Sequence, residues 1–170
     1  MNDLINDAKK GNKLAFTNII LEKSNVLYKI ARARLKNIAD IDDAIQNTMI
    51  KAYLNLIKLK DNSKFDMWLT KILINECNEV YRKNKLTIIS YDEIEDYQGN
   101  LDNQDIDSKL EYDRIMNFLE YEERTLVVLH YGIGYTTKQM SDILNTNENT
   151  IKTRLKRLKE KLQNKFKGGM

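Results

Sequence analysis

Not one proline occurs in the 170 residues, and glycine stands only at positions 11, 99, 132, 134, 168 and 169. In a helix interior proline costs about 3 kcal/mol and glycine about 1 kcal/mol relative to alanine, so a chain nearly free of both can run long helices without interruption. An all-α fold is the leading expectation. Hydrophobic residues make up 42% and charged residues 31%, the balance of a globular protein. That balance excludes a disordered polyelectrolyte, and the missing prolines and single cysteine exclude a collagen-like chain and a disulfide scaffold. A chain of 170 residues suits one or two domains with a sizeable core.

The longest stretch without an Asp, Glu, Lys or Arg runs from Thr125 to Thr137, shorter than the ~20 apolar residues of a membrane-spanning helix, and it holds two glycines. The N-terminus, MNDLINDAKK, lacks the basic start and apolar stretch of a secretion signal, so the expected location is the cytoplasm. Cys77 is the only cysteine, which rules out an internal disulfide. Cys77 and His130 fall in separate helical patterns and read as packed residues, not as a nucleophilic pair.

Charge is unevenly spread. Residues 1–83 carry a net +5, residues 84–110 a net −5 and residues 111–170 a net +3. The middle tract contains Asp92, Glu93, Glu95, Asp96, Asp102, Asp105 and Asp107, with Gly99 and several amides, and has no sustained helical period. It reads as an acidic flexible linker. The expected organisation is therefore an N-terminal helical domain over 1–85, a linker over 86–108 and a C-terminal helical domain over 109–170.

In the N-terminal part three side chains stand where helix caps belong: Asn12 before LAFTNIIL, Ser24 before NVLYKIARARL and Asp40 before IDDAIQNTMIKAYLNLI. Three or four packed helices are expected. In the last of these runs Ile41, Ile45, Thr48, Met49, Ala52 and Leu56 share one face at about 100° per residue, as a buried stripe should. The opposite side carries Asp43, Gln46 and Asn47 and then Ile50, Leu54 and Ile57. A helix with two apolar faces is either covered on both sides by its own domain or docks a partner helix.

The following segment, KFDMWLTKILINECNEVYRKNK, sets Phe65, Leu69, Ile72, Cys77 and Val80 on an inner face, with Trp68, Lys71, Asn75, Arg82 and Lys83 around the rest. Aromatic and basic groups interleaved in this way suit unstacked single-stranded DNA, because rings stack on bases while Lys and Arg follow the phosphates.

Near the C-terminus, YTTKQMSDILNTNENTIKTRLKRLKEKLQNKF scans as helix, tight turn, helix. Thr136 and Gln139 form a capping box, Met140, Ile143 and Leu144 an inner face, and Asn145 and Asn147 the turn and cap. From about Glu148 a second helix buries Ile151, Leu155, Leu158, Leu162 and Phe166 and is basic elsewhere. This is the pattern of a helix-turn-helix, whose second helix enters the major groove by its N-terminus. Asn149, Thr150, Lys152 and Thr153 are placed to meet bases or phosphates.

Taken in order, DDAIQNTMIKAY (42–53), KFDMWLTKILINE (64–76) and NENTIKTRLKRLKEKL (147–162) resemble the polymerase-docking helix, promoter-melting segment and recognition helix of the extracytoplasmic-function (ECF) group of RNA polymerase sigma factors in the sigma-70 family. The chain departs from the family at Asn145, where a glycine is frequent, and at Met49, where an aromatic residue is frequent. The resemblance implies that Asp42, Asp43, Gln46, Asn47, Met49 and Ile50 face a coiled coil of the largest subunit of core RNA polymerase. It implies that Asn62, Ser63, Lys64, Trp68, Lys71, Asn75 and Arg82 hold an opened −10 element. It further implies that Thr136, Asn147, Asn149, Thr150, Lys152, Thr153, Arg154 and Arg157 read a −35 duplex, with the polymerase flap region as a second docking point. An anti-sigma factor, membrane-bound in some relatives, is an implied antagonist. No catalysis, cofactor, metal or small-molecule substrate is expected.

Two other classes fit parts of the pattern. One is a stand-alone helix-turn-helix regulator whose N-terminal helices dimerise or sense a ligand. The other is a DNA-acting enzyme with a divalent metal on Asp40, Asp42 and Asp43, although neighbours on a helix diverge by about 100°.

Overall fold

The computed structural model describes residues 1–87 and 106–166, with side chains over 1–85 and 111–166. The acidic tract expected as a linker lies almost wholly outside the described residues. All regular structure among them is helical, and the chain divides into two compact units, Met1–Asp96 and Tyr97–Met170.

The first unit contains α1 (Asn2–Lys9), α2 (Lys13–Arg34), α3 (Ile38–Asn55) and α4 (Phe65–Thr87). Between α1 and α2 the chain turns at Gly11, whose φ of 94° a side chain would strain. Asn12 then caps α2 by accepting from the Ala15 amide at 3.1 Å. Ser24 does not start a new helix. Helix α2 runs straight through it for 22 residues, and the Ser24 hydroxyl donates back to the Leu21 carbonyl at 2.8 Å. A serine hydroxyl satisfied in this way can sit inside a helix, and burial of Ile19, Ile20, Leu27 and Ile30 on either side of it holds the helix together.

Asp40 does not cap α3 either. Asn37 does, accepting from the Ala39 amide at 2.8 Å, and Asp40 falls in the first turn, where its carboxylate accepts from Asn84 of α4 at 2.6 Å. Both residues suit a cap chemically. The extended backbone at Asn37 decides between them.

Helix α3 packs on α4 and α2, and α1 packs on α2, around Ile5, Ile19, Leu27, Ile30, Ile41, Phe65, Leu69 and Leu73. The buried arc of α4 is wider than expected. It includes Thr70, Leu73, Ile74 and Glu76, while Ile72 and Val80 are only half-buried. The cause is that both α2 and α3 cover this helix, so its dry face spans two neighbours. Cys77 is fully buried, and burial pushes its thiol up to about 12, which makes it an inert packed group.

The second unit contains α5 (Ile106–Phe118), α6 (Tyr121–Val127) continued by a π-helical turn over Val128–Gly132, α7 (Thr137–Leu144) and α8 (Glu148–Phe166). Its core is built from Met116, Leu119, Leu126, Leu129, Met140, Ile143, Ile151, Leu155 and Leu158. His130 packs locally, with Nδ1 2.9 Å from the Tyr135 carbonyl. Leu144, Leu162 and Phe166 are half-buried at the margins of their stripes.

Candidate nucleic-acid interface and docking face

Helix α3 buries Ile41, Ala44, Thr48 and Ala52 and leaves its other side uncovered. Ile50 is 57% exposed, Leu54 67% and Ile57, just past the helix end, 74%. Covering of both faces by the protein's own domain is thereby overturned. Asp42, Asp43, Gln46 and Asn47 are exposed on the preceding turns, and Met49 sits half-buried at the edge of the core stripe. Large apolar side chains grouped on a polar surface mark an interaction site.

On α4 the spacing of Trp68, Lys71, Asn75 and Arg82 confines them to an arc of about 60° at 100° per residue. Trp68 is half-buried, its ring against Phe65 at 5.8 Å between centroids. An open cleft of about 570 Å³ lies beside it, lined by Trp68, Asn75 and Arg82 of α4 and by Lys51, Asn55 and Lys58 from the end of α3 and the turn that follows. The residues from α3 were not legible as cleft residues, because their spacing follows the docking face and gives no sign of a second helix opposite.

The turn between α3 and α4 is tied down. Asp61 accepts from the Ser63 hydroxyl at 2.6 Å and from its amide at 3.0 Å, bonds that hold the Asp61 carboxyl below its ordinary range. Asn62 accepts from Lys9 and donates to Asn6, so its side chain is engaged by α1. Lys64 is exposed at the entrance to α4.

In the second unit the capping box closes in both directions: the Thr136 hydroxyl accepts from the Gln139 amide at 3.2 Å, and the Gln139 side chain accepts from the Thr136 amide at 2.9 Å. Asn145 takes the left-handed conformation, φ 49° and ψ 47°, that ends α7. Asparagine adopts this region more readily than other side-chain-bearing residues, so the turn forms without glycine. Asn147 accepts from the Asn149 amide at 2.8 Å at the start of α8.

Asn149, Thr150, Thr153, Arg154 and Arg157 are all exposed and fall on one arc of about 140° at the positive end of the helix dipole. Lys152 lies outside that arc and pairs with Glu148 at 2.9 Å. Lys161 pairs with Glu123 at 2.7 Å and, with Lys165, lies over the Phe118 ring. The basic face of α8 is thus divided, its first half open and its second half partly committed to α5 and α6.

The family model for Sigma-70 region 2 matches residues 20–87, and that for Sigma-70 region 4 matches residues 109–162. The chain belongs to the sigma-70 family. Within it, the ECF RNA polymerase sigma factor SigW of Bacillus subtilis is 27% identical over 96% of this chain and 95% of its own length. The ECF RNA polymerase sigma-E factor of Haemophilus influenzae is 26% identical over 96% and 93%. These relatives place this sigma factor in the ECF group. Its fold is similar to that of CnrH, solved with the cytosolic domain of CnrY, at a TM-score of 0.72, 21% identity and coverage of 98% and 97%. It is also similar to the sigma factor RpoE of Bartonella quintana, solved with the anti-sigma factor NepR, at a TM-score of 0.71, 24% identity and coverage of 91% and 98%. Among the described residues of this sigma factor no three His, Cys, Asp or Glu side chains converge on a metal position, and no helix is long and apolar enough to cross a membrane.

Proposed function

We propose that this sigma factor works in the cytoplasm as a non-enzymatic initiation subunit, with residues 1–85 binding core polymerase and the opened −10 element and residues 109–170 reading the −35 duplex. The uncovered stripe Ile50, Leu54 and Ile57 on α3 carries the reading, since a helix buried on one side has no internal use for a second apolar face. Asp42, Asp43, Gln46, Asn47 and Met49 complete the surface offered to a coiled coil of the largest polymerase subunit.

Trp68 supplies a stacking platform, and Lys71, Asn75 and Arg82 follow the displaced strand along the same arc of α4. Lys64, with the pinned Asn62 and Ser63, frames the approach to it. Opening the duplex costs roughly 1.4 kcal/mol per base-pair step, and stacking of extruded bases on the cleft offsets part of that cost. In the second unit Asn149, Thr150, Thr153, Arg154 and Arg157 meet base edges and phosphates, while Thr136, Asn147 and Lys152 hold the turn and the flank of the helix against the backbone. The acidic tract over 86–108 opposes binding of the free protein to bulk DNA by its charge. An anti-sigma factor, of the kind seen with the RpoE relative, competes for the α3 face.

The test is a titration of the full chain against core polymerase. Gln46→Ala with Ile50→Ala weakens polymerase binding and leaves duplex binding by the free protein unchanged. Wild-type titration curves for that double variant would refute the docking assignment.

A further inference from the structure

Glu76 is 5% exposed, a depth at which an ionised carboxylate is costly unless partners compensate it. One partner is present: Lys51 Nζ lies 2.6 Å from Oε1. Among the described residues nothing else donates to this carboxylate, and Glu76 lines the cleft beside Trp68. Its second oxygen, Oε2, is therefore an acceptor in the wall of the place where a base would stack. Lys51, Lys58 and Arg82 outnumber Glu76 and Glu79 on the same cleft, Arg82 being paired with Glu79, so a phosphodiester strand meets a net positive charge there.

Bases differ at the position that meets such an acceptor. Adenine N6 and cytosine N4 are amino donors, whereas guanine O6 and thymine O4 are carbonyl acceptors. A carboxylate oxygen that meets this edge of the base accepts from the first pair and repels the second, whereas guanine N1–H and N2 or thymine N3–H would donate only from a base turned the other way round. We propose that Glu76 is a base-specificity determinant, its Oε2 accepting a hydrogen bond from the exocyclic amine of an unstacked adenine or cytosine seated beside Trp68. Lys51 pairs with Oε1 and leaves Oε2 toward the cleft. The proposal rests on capture of the opened strand by the Trp68 face.

The test uses holoenzyme assembled from the full chain and core polymerase, incubated with fork-junction DNA whose single-stranded non-template segment is randomised, followed by sequencing of the retained strands. Wild type is expected to enrich adenine or cytosine roughly tenfold over guanine and thymine at one position. Glu76→Leu removes the acceptor at similar size and is expected to flatten that position alone. Lys51→Met breaks the same ion pair but leaves the carboxylate, and it keeps the amino-base preference; equal losses in both variants would reduce Glu76 to a structural role and overturn the proposal.

Replacing the preferred base by its amine-deleted analogue, purine for adenine or 2-pyrimidinone for cytosine, weakens wild-type retention roughly tenfold. Unchanged retention of the analogue overturns the proposal even if Glu76→Leu fails to fold. Selection at other positions, with none where an amino base depends on Glu76, overturns the role of Glu76 and leaves strand capture standing. Retention no better than that of core polymerase alone overturns capture and this proposal together.

Discussion

Lys9 Nζ of α1 lies 2.6 Å from Asn62 Oδ1, 53 residues further along the chain, and 2.6 Å from the Leu59 carbonyl. The first helix thus fastens the turn that leads into the Trp68 helix, although α1 precedes the segment matched to region 2. Two charge-assisted bonds contribute about 1–3 kcal/mol each to holding that turn. Lys9→Ala is expected to lower the melting temperature of the protein and to slow promoter opening more than it weakens polymerase binding. Equal opening rates for wild type and Lys9→Ala would show that the turn is set without α1.

Leu54 protrudes from α3 and Ile57 from the turn just past its end, with no role in the core. Substituting both by serine changes folding stability by no more than about 0.5 kcal/mol. Affinity for core polymerase falls at least tenfold in the same variant, on the proposed docking role. Thermal unfolding and polymerase titration on one preparation separate the two effects, and a large loss of stability would mean that the stripe is covered after all.

Arg154 stands on the open arc of α8, whereas Lys152 is bonded to Glu148 at its flank. Arg154→Ala should therefore weaken binding to −35 duplex by more than Lys152→Ala does. Each phosphate contact removed lowers the slope of log affinity against log salt by about 1. Affinities measured across a salt series check both statements, and the reverse ranking contradicts the geometry.

Glu148 accepts from Lys152 and from the Thr137 hydroxyl at 2.8 Å, bonds that hold its carboxyl below the ordinary glutamate range. A depressed value in the folded state stabilises the protein above the unfolded value, and the contribution is lost as pH falls through the depressed one. Acid should therefore loosen the junction between α7 and α8. Glu148→Gln lacks this dependence, so the stability difference between wild type and variant, present at neutral pH, closes on acidification. A difference that widens as pH falls has the wrong sign for this account.

The sequence was most legible where one residue does one local job. Asn12, the Thr136–Gln139 pair, Asn145 and Asn147 are caps and turns set by neighbours a few positions away, and each forms as its chemistry dictates. It was least legible where the outcome depended on distant chain. Ser24 lies mid-helix because the stripe around it is buried, and α4 is dry over a wider arc because two helices cover it. The pairing of Lys51 with Glu76 in the cleft wall, and of Lys9 with Asn62 across 53 residues, is tertiary and leaves no period in the sequence. The second apolar face of α3 was visible as a pattern. Only the packing of α2 and α4 showed which side remained open.

The central claim is that this protein gives core RNA polymerase a choice of promoter, and the most direct measurement is transcription from fragmented host DNA by purified core polymerase with the protein added or omitted, mapping every start. The account predicts discrete new starts that share elements at −35 and −10. A symmetric footprint on duplex DNA with no new starts would contradict it and identify a stand-alone regulator.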